Sequence, residues 1–319
     1  MSKRVLFTST FKTTFIEKDI EILKSFYQLD VVIAKGFIGL AKKINHLFKN
    51  DICFIWFAST YSSILVFLSK LLNKKTIIVI GGVDVAMEKE LNYGIWNSWW
   101  RKYFVRFAIV NANLILAVDE SLKQKAISLC KYNGKNINIV PTGYDENFWR
   151  RITEKENFVL MVANVRDEIR LKIKGINIFL DVAKLMPKIK FKLIGLDKNL
   201  KINIPENVEV INFVNQSQLQ IEYSRAKVYC QLSLIEGLPN TLCEAMLCEC
   251  IPIGTDVGGI KNAIGETGIV LPTNEIETIR NAILFSFENF EGAKARQRII
   301  NNFDIKKRIE FLTNIINNF

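Results

Sequence analysis

Short, continuously apolar runs alternate along this chain with longer stretches whose apolar residues recur at helical spacing, and this pattern restricts the fold more than any other feature. Val5-Leu6-Phe7, Val31-Val32-Ile33-Ala34 and residues 52–57, 76–80 and 114–118 read as strands. Helical spacing covers 16–26, 37–48, 62–72, 95–110 and 120–130. Strands without polar alternation are buried on both faces, and in a βα rhythm that means a parallel sheet covered by helices on both sides. A polar stretch without apolar periodicity, 145–156, precedes a second series. There, strands are expected at 158–163, 191–194 and 208–213, and helices at 176–186 and 219–224. With 319 residues, 49% of them hydrophobic, the chain can fill two cores.

The second series culminates in residues 228–259, which predict a buried strand (228–234), a turn at 235–237, a helix from about Pro239 and a short strand (251–254) closed by glycines. Pro239 suits the first turn of a helix and Gly237 permits a tight turn before it. A helix N-terminus beside the carboxyl end of a parallel strand is an anion site for phosphate. Two carboxylates flank it, Glu236 and Glu244, with seven residues between them. If the helix starts near Glu236, both share one face about 12 Å apart. Beside a diphosphate, acids must face hydroxyls: Glu236 would take a sugar and Glu244 a ribose.

The segment EGLPNTLCE, flanked by SLIEG and TDVGG, resembles the E-x7-E signature of the retaining glycosyltransferases of family 4, the group 1 transferases. The resemblance implies a GT-B fold: α/β, with two doubly wound Rossmann-like domains facing a cleft. The expected boundaries are an acceptor-side domain 1–148, joined by a returning C-terminal helix 304–319, and a nucleotide-sugar-binding domain 156–303. It further implies transfer of a hexosyl unit from a nucleoside-diphosphate sugar to a hydroxyl of a saccharide or lipid-linked glycan. Attack would be front-face, with no cofactor and no metal. Fixed cations stabilise a leaving group whose charge grows in the transition state, which suits a basic diphosphate site.

Several residues follow from the resemblance. An Arg and a Lys after the first strand of the second domain would reach the diphosphate. Arg166 and Lys174 are the candidates, with Arg170 and Lys172 competing inside VRDEIRLKIKG. Gly237, Leu238, Asn240 and Thr241 would offer phosphate contacts, and main chain around Phe213 and Val214 would hold the base. Pro141-Thr142-Gly143-Tyr144-Asp145 is similar to the family's hinge. Gly81 and Gly82 end a strand where a ligand can approach closely, but the family's histidine near this point is missing. Asp84 is the local substitute near the acceptor hydroxyl. The single histidine, His46, lies in a basic amphipathic segment and is expected at the surface.

The formal net charge of +11 implies attraction to anions. No basic stripe with a recognition motif points to nucleic acid, so no nucleic-acid partner is expected. Trp96, Trp99, Trp100, Tyr103, Phe104 and Phe107 interleave with Arg101, Lys102 and Arg106. That composition over 95–107 suits either an interfacial helix on an anionic membrane or a packed core helix. Residues 37–48, with Lys42, Lys43 and Lys49, would extend the patch. The uncharged run 52–69 holds a polar cluster, 59–63, and is read as strand, turn and helix rather than a membrane span. No secretory leader is expected. Six cysteines without a CxxC pair read as buried reduced thiols, and the expected location is the cytoplasm, peripheral on the inner membrane face. Two other readings share the fold: an inactive transferase-like partner subunit and a nucleotide-sugar epimerase or hydrolase.

Overall fold

The computed structural model describes residues 3–319. Two compact units make up the chain: residues 3–142 with 306–319, and residues 143–305.

In the first unit, β1 (Arg4–Ser9), α1 (Thr14–Phe26), β2 (Gln28–Ile33), α2 (Gly36–Lys49), β3 (Ile52–Trp56), α3 (Thr60–Leu71) and β4 (Lys75–Ile80) alternate. Single 3₁₀ turns at Val83–Val85 and Ile95–Asn97 lead to α4 (Arg101–Asn111), β5 (Leu114–Ala117), α5 (Glu120–Cys130) and β6 (Ile137–Ile139). The strands form one parallel sheet in the order β2-β1-β3-β4-β5-β6. β3 is buried at every position, as a strand covered on both faces must be.

The second unit runs β7 (Glu156–Val165), α6 (Glu168–Ile173), α7 (Ile176–Lys184), β8 (Lys190–Leu196), β9 (Val208–Ile211), α8 (Gln216–Arg225), β10 (Ala226–Gln231) and α9 (Asn240–Leu247). It continues with β11 (Ile251–Thr255), α10 (Ile260–Ile264), β12 (Ile269–Leu271), α11 (Ile276–Asn289) and α12 (Gly292–Phe303). Its parallel sheet has the order β12-β11-β10-β7-β8-β9. The final helix, α13 (Ile305–Asn318), belongs to the first unit.

Some expectations need correction. The helix read over 95–110 begins only at Arg101, because Trp96 turns inward and its indole donates to the Asp84 carbonyl (2.8 Å). The stretch 145–156 is not a bare linker: Trp149 is buried, edge-on to Tyr223 with ring centroids 5.7 Å apart. The short β6 and the one-turn-plus α6 escaped periodicity analysis. Lys43 leaves the surface patch. It is buried, donates to the Ala34 carbonyl (2.9 Å) and lies over the Tyr61 ring, and burial pulls its ammonium down to about 8. His46, by contrast, is only half-buried, with Nδ1 2.9 Å from the Asp30 carboxylate. The run 52–69 is β3 and α3, and no helix among the described residues is long and apolar enough to cross a membrane. All six cysteines are buried and unpaired.

Two cations, half-buried Lys155 and buried Arg308, hold the chain where periodicity is silent. Lys155 donates to the carbonyls of Tyr223, Ala226 and Cys248 at 2.7–2.9 Å, using all three protons at the carboxyl ends of α8 and α9, where helix dipoles favour positive charge. Arg308 of α13 grips both Asp19 oxygens at 2.6 Å and donates to the Val140 and Pro141 carbonyls. Removing one partner of a buried pair leaves an uncompensated charge. Arg308→Met is therefore expected to cost about 3–5 kcal/mol in urea unfolding. A loss under about 1 kcal/mol would mean that α13 is held by its apolar face alone.

Candidate functional site

β10 ends at Gln231, and the chain then crosses to the start of α9 through a loop pinned at two corners. Gly175, at φ +70°, packs so closely that a Cβ there would lie 2.1 Å from the Leu232 carbonyl oxygen. Gly258, at φ +57°, would place a Cβ 2.2 Å from the Glu236 carbonyl oxygen. Only glycine satisfies both the backbone angle and the contact at these points. The Leu234 amide donates to the Ile173 carbonyl (2.7 Å) and the Gly259 amide to the Gly237 carbonyl (2.6 Å). The end of α6 is thereby brought against the loop, and Lys174 with it.

Lys174 Nζ lies 2.5 Å from Glu236 Oε2. The same oxygen accepts from Ser233 Oγ (3.1 Å) and Gln231 Nε2 (3.4 Å). Gln231 also donates to Ser233 Oγ (2.8 Å), and its Oε1 accepts from Thr241 Oγ1 (3.3 Å). The Tyr229 hydroxyl stands 3.2 Å from that Oε1, and burial pushes its pKa well above the tyrosine range, which keeps it a neutral donor. Gln231 and Ser233 were missed by the motif reading. Their signal was present in QLS, polar residues at the end of an otherwise apolar strand.

The helix starts at Asn240, with Pro239 as its N-cap and no side-chain cap. Glu236 therefore precedes the helix, and the two acids do not share a helical face as expected. Glu244 sits in the helix with only 8% of its surface exposed, and accepts from the buried Tyr223 hydroxyl at 3.4 Å. The uncapped first amides of α9 are oriented donors at the positive end of a helix, beside a lysine. Gly237 and Leu238 are buried in the approach to them. Asn240 accepts from the Tyr144 hydroxyl (2.9 Å).

Of the four competing bases, Lys174 is the one that meets Glu236. Arg170 pairs with Asp167 at 3.6 Å, and Lys172 is exposed. Arg166 is exposed with its guanidinium over the Phe213 ring, 5.2 Å from the centroid. That contact joins the end of β7 to the segment after β9 that carries Phe213 and Val214. Among the described residues no group of three His, Cys, Asp or Glu side chains is gathered as a metal site requires.

In the first unit, Asp84 faces inward. One oxygen accepts from the amides of Gly81 (3.2 Å) and Gly82 (2.9 Å), the other from Ala58 (3.2 Å), and the residue is 1% exposed. Its carboxylate anchors the loop after β4 and presents little surface to a ligand. Burial pushes its pKa up to about 6 against the opposing pull of those amides.

The profile of the family described as glycosyl transferases group 1 matches residues 145–304, and the chain belongs to that family. It is 24% identical over 229 residues to the N-acetyl-alpha-D-glucosaminyl L-malate synthase of Bacillus anthracis, a match covering 64% of this chain and 59% of that protein. It is 24% identical over 174 residues to the phosphatidylinositol N-acetylglucosaminyltransferase gpi3 subunit of Schizosaccharomyces pombe, covering 50% of this chain and 38% of that one. The chain thus spans less than two thirds of either relative. The Anabaena HepE structure in complex with UDP-glucose superposes with a TM-score of 0.79 at 14% identity, covering 99% of this chain and 100% of that one. A sucrose-phosphate synthase from Thermosynechococcus elongatus gives 0.81 at 12% identity, covering 99% and 98%. The fold, two parallel six-stranded sheets with flanking helices, is GT-B.

The Asp84 carboxyl titrates higher folded than unfolded, so its contribution to stability is complete below about pH 4 and is lost as pH rises through about 6. Asp84→Asn should therefore gain on the parent between pH 4 and pH 7, by about 3 kcal/mol in chemical unfolding. A difference independent of pH would show that Asp84 is ionised throughout.

Proposed function

We propose that the chain is a retaining, metal-independent glycosyltransferase that moves a hexosyl unit from a nucleoside-diphosphate sugar to a hydroxyl of a saccharide or lipid-linked glycan. The observation that carries this reading is the 2.5 Å pairing of Lys174 with Glu236 beside the uncapped start of α9. A cation, a helix N-terminus and a carboxylate stand together, as a donor with an anionic diphosphate and a hydroxylated sugar requires.

In this reading the amides at Asn240 and Thr241, the approach through Gly237 and Leu238, and the cations Lys174 and Arg166 bind the diphosphate. They stabilise it more as the glycosidic bond breaks and its charge grows, which is how fixed donors lower a barrier. Glu236 holds the donor sugar by its hydroxyls, Glu244 the ribose, and main chain at Phe213 and Val214 the base. The acceptor attacks the face from which the diphosphate leaves, and the diphosphate oxygen takes the acceptor proton. Asp84 acts here as the anchor of the Gly81–Gly82 loop rather than as a group touching the acceptor. The relatives named for N-acetylglucosaminyl transfer and the HepE complex with UDP-glucose support a nucleotide-sugar donor.

An anionic membrane surface is the proposed docking site, with the protein on the inner face of the cytoplasmic membrane. Support comes from three consecutive helices rather than from 95–107 alone. α2, α3 and α4 pack in succession, contain no Asp or Glu, and expose Phe37, Ile38, Phe67, Leu71, Tyr103 and Phe104, with Trp99 and Trp100 preceding α4. Apolar side chains interspersed with lysine and arginine suit an interface with anionic lipid.

Thermal shift against UDP, GDP, ADP and CMP tests the donor site, since a ligand that binds only the folded chain raises its melting temperature. Glu244→Gln, which keeps a partner for the Tyr223 hydroxyl, is expected to weaken the stabilising nucleotide by about 1.5–3 kcal/mol. Glu236→Ala should leave that affinity near the parent value and cut turnover. Sugar release without any acceptor would favour epimerase or hydrolase chemistry. For the membrane, vesicles containing phosphatidylglycerol should co-float the protein, and Ile38→Glu with Tyr103→Glu should abolish this. Equal flotation on neutral vesicles would overturn the electrostatic part.

A further inference from the structure

Glu236 uses its two carboxylate oxygens unequally. Oε2 takes the contacts from Lys174, Ser233 and Gln231, although the side chain is still 15% exposed. The donors differ in kind. Ser233 and Gln231 are buried, at 0% and 2% exposure, on the strand end that carries the loop. Lys174 is a flexible cation, 25% exposed, which the diphosphate also needs. An ammonium cannot give its full charge to both anions, so an arriving diphosphate competes with the carboxylate for it.

We propose that Gln231 and Ser233 are positioning residues that keep one oxygen of Glu236 fixed when the donor diphosphate draws Lys174 away, leaving the other oxygen to meet the transferred sugar. The inference rests on the donor reading given above. Lys174 closes the site without ligand, and the neutral pair maintains the carboxylate's orientation with ligand. Burying an amide and a hydroxyl at this strand end costs free energy unless they are bonded. They are bonded into one chain from Thr241 through Gln231 and Ser233 to Glu236. Thr241 lies in the first turn of α9, so the diphosphate-binding helix and the sugar-binding carboxylate are tied by the same hydrogen bonds. Thr255 fixes the relay from behind by donating to the Ser233 carbonyl at 2.7 Å.

The test compares the parent chain with Ser233→Ala, Gln231→Met and the double variant. Nucleoside-diphosphate release is followed from UDP-, GDP- and ADP-linked hexoses, with the affinity for the free UDP, GDP and ADP measured in parallel. Each single variant should lower kcat about 10–100-fold, the scale of an Å-level misplacement. Affinity for the free diphosphate should stay within about twofold of the parent, because Lys174 remains available to it. The double variant should be no worse than the poorer single one, since both residues act through one oxygen. Equal losses in kcat and in diphosphate affinity, or multiplicative losses in the double variant, would overturn the positioning role and leave the donor reading intact. If the parent binds none of the diphosphates, the donor reading fails and this inference falls with it.

Discussion

The ion pair of Arg308 with Asp19 governs how this chain is threaded. Two opposite charges, each almost without solvent contact, meet in bidentate geometry at 2.6 Å. Taking such charges out of water costs several kcal/mol, and the cost is offset only when the remaining donors and acceptors are filled. Here they are. The Trp56 indole donates to Asp19 at 2.8 Å, and the remaining Arg308 nitrogen reaches the Val140 and Pro141 carbonyls. One side chain thus binds the last helix to α1, to the end of β3 and to the segment after β6.

The consequence lies immediately downstream. The chain enters the second unit after Thr142 and leaves it at Ile305, and inside that unit its first and last residues lie side by side. Tyr144 pairs there with Asp304, and its amide and carbonyl bond to Phe303 and Ile305. The Tyr144 hydroxyl then meets Asn240, the first residue of α9. Arg296 adds carbonyl contacts to Glu146, Trp149 and Leu247. The stretch that reads as a polar linker is in this way tied to both ends of the helix on which the candidate donor site is built.

Much of the fold was legible because parallel βα architecture writes itself locally. Runs such as Ile52–Trp56 and residues 77–80 are apolar on both faces, and the helices between them keep a regular apolar spacing. Legibility failed where a side chain's surroundings contradict its type. Lys43 reads as one more surface lysine, yet its stem is buried and its ammonium is held by a carbonyl and an aromatic ring. Trp96 reads as part of an aromatic helix, yet it turns inward to a backbone carbonyl in a 3₁₀ turn. Asp84 reads as a polar group at a sheet edge, yet three amides claim it. In each case the deciding partner lies outside the local periodicity.

The candidate site divides in the same way. Sequence alone determined that a strand, a tight turn and a helix follow one another at 228–247, that Glu236 and Glu244 flank the turn, and that a cluster of bases lies near the second unit's first strand. Those are properties of neighbouring residues. Only the tertiary structure decided that Lys174, rather than Arg170 or Lys172, meets Glu236, because that contact spans 62 positions and depends on β7 lying beside β10. It also decided that Gln231 and Ser233 turn toward the same carboxylate. Local patterning sets which face of an element is buried, while strand order sets which elements touch, and chemistry needs both.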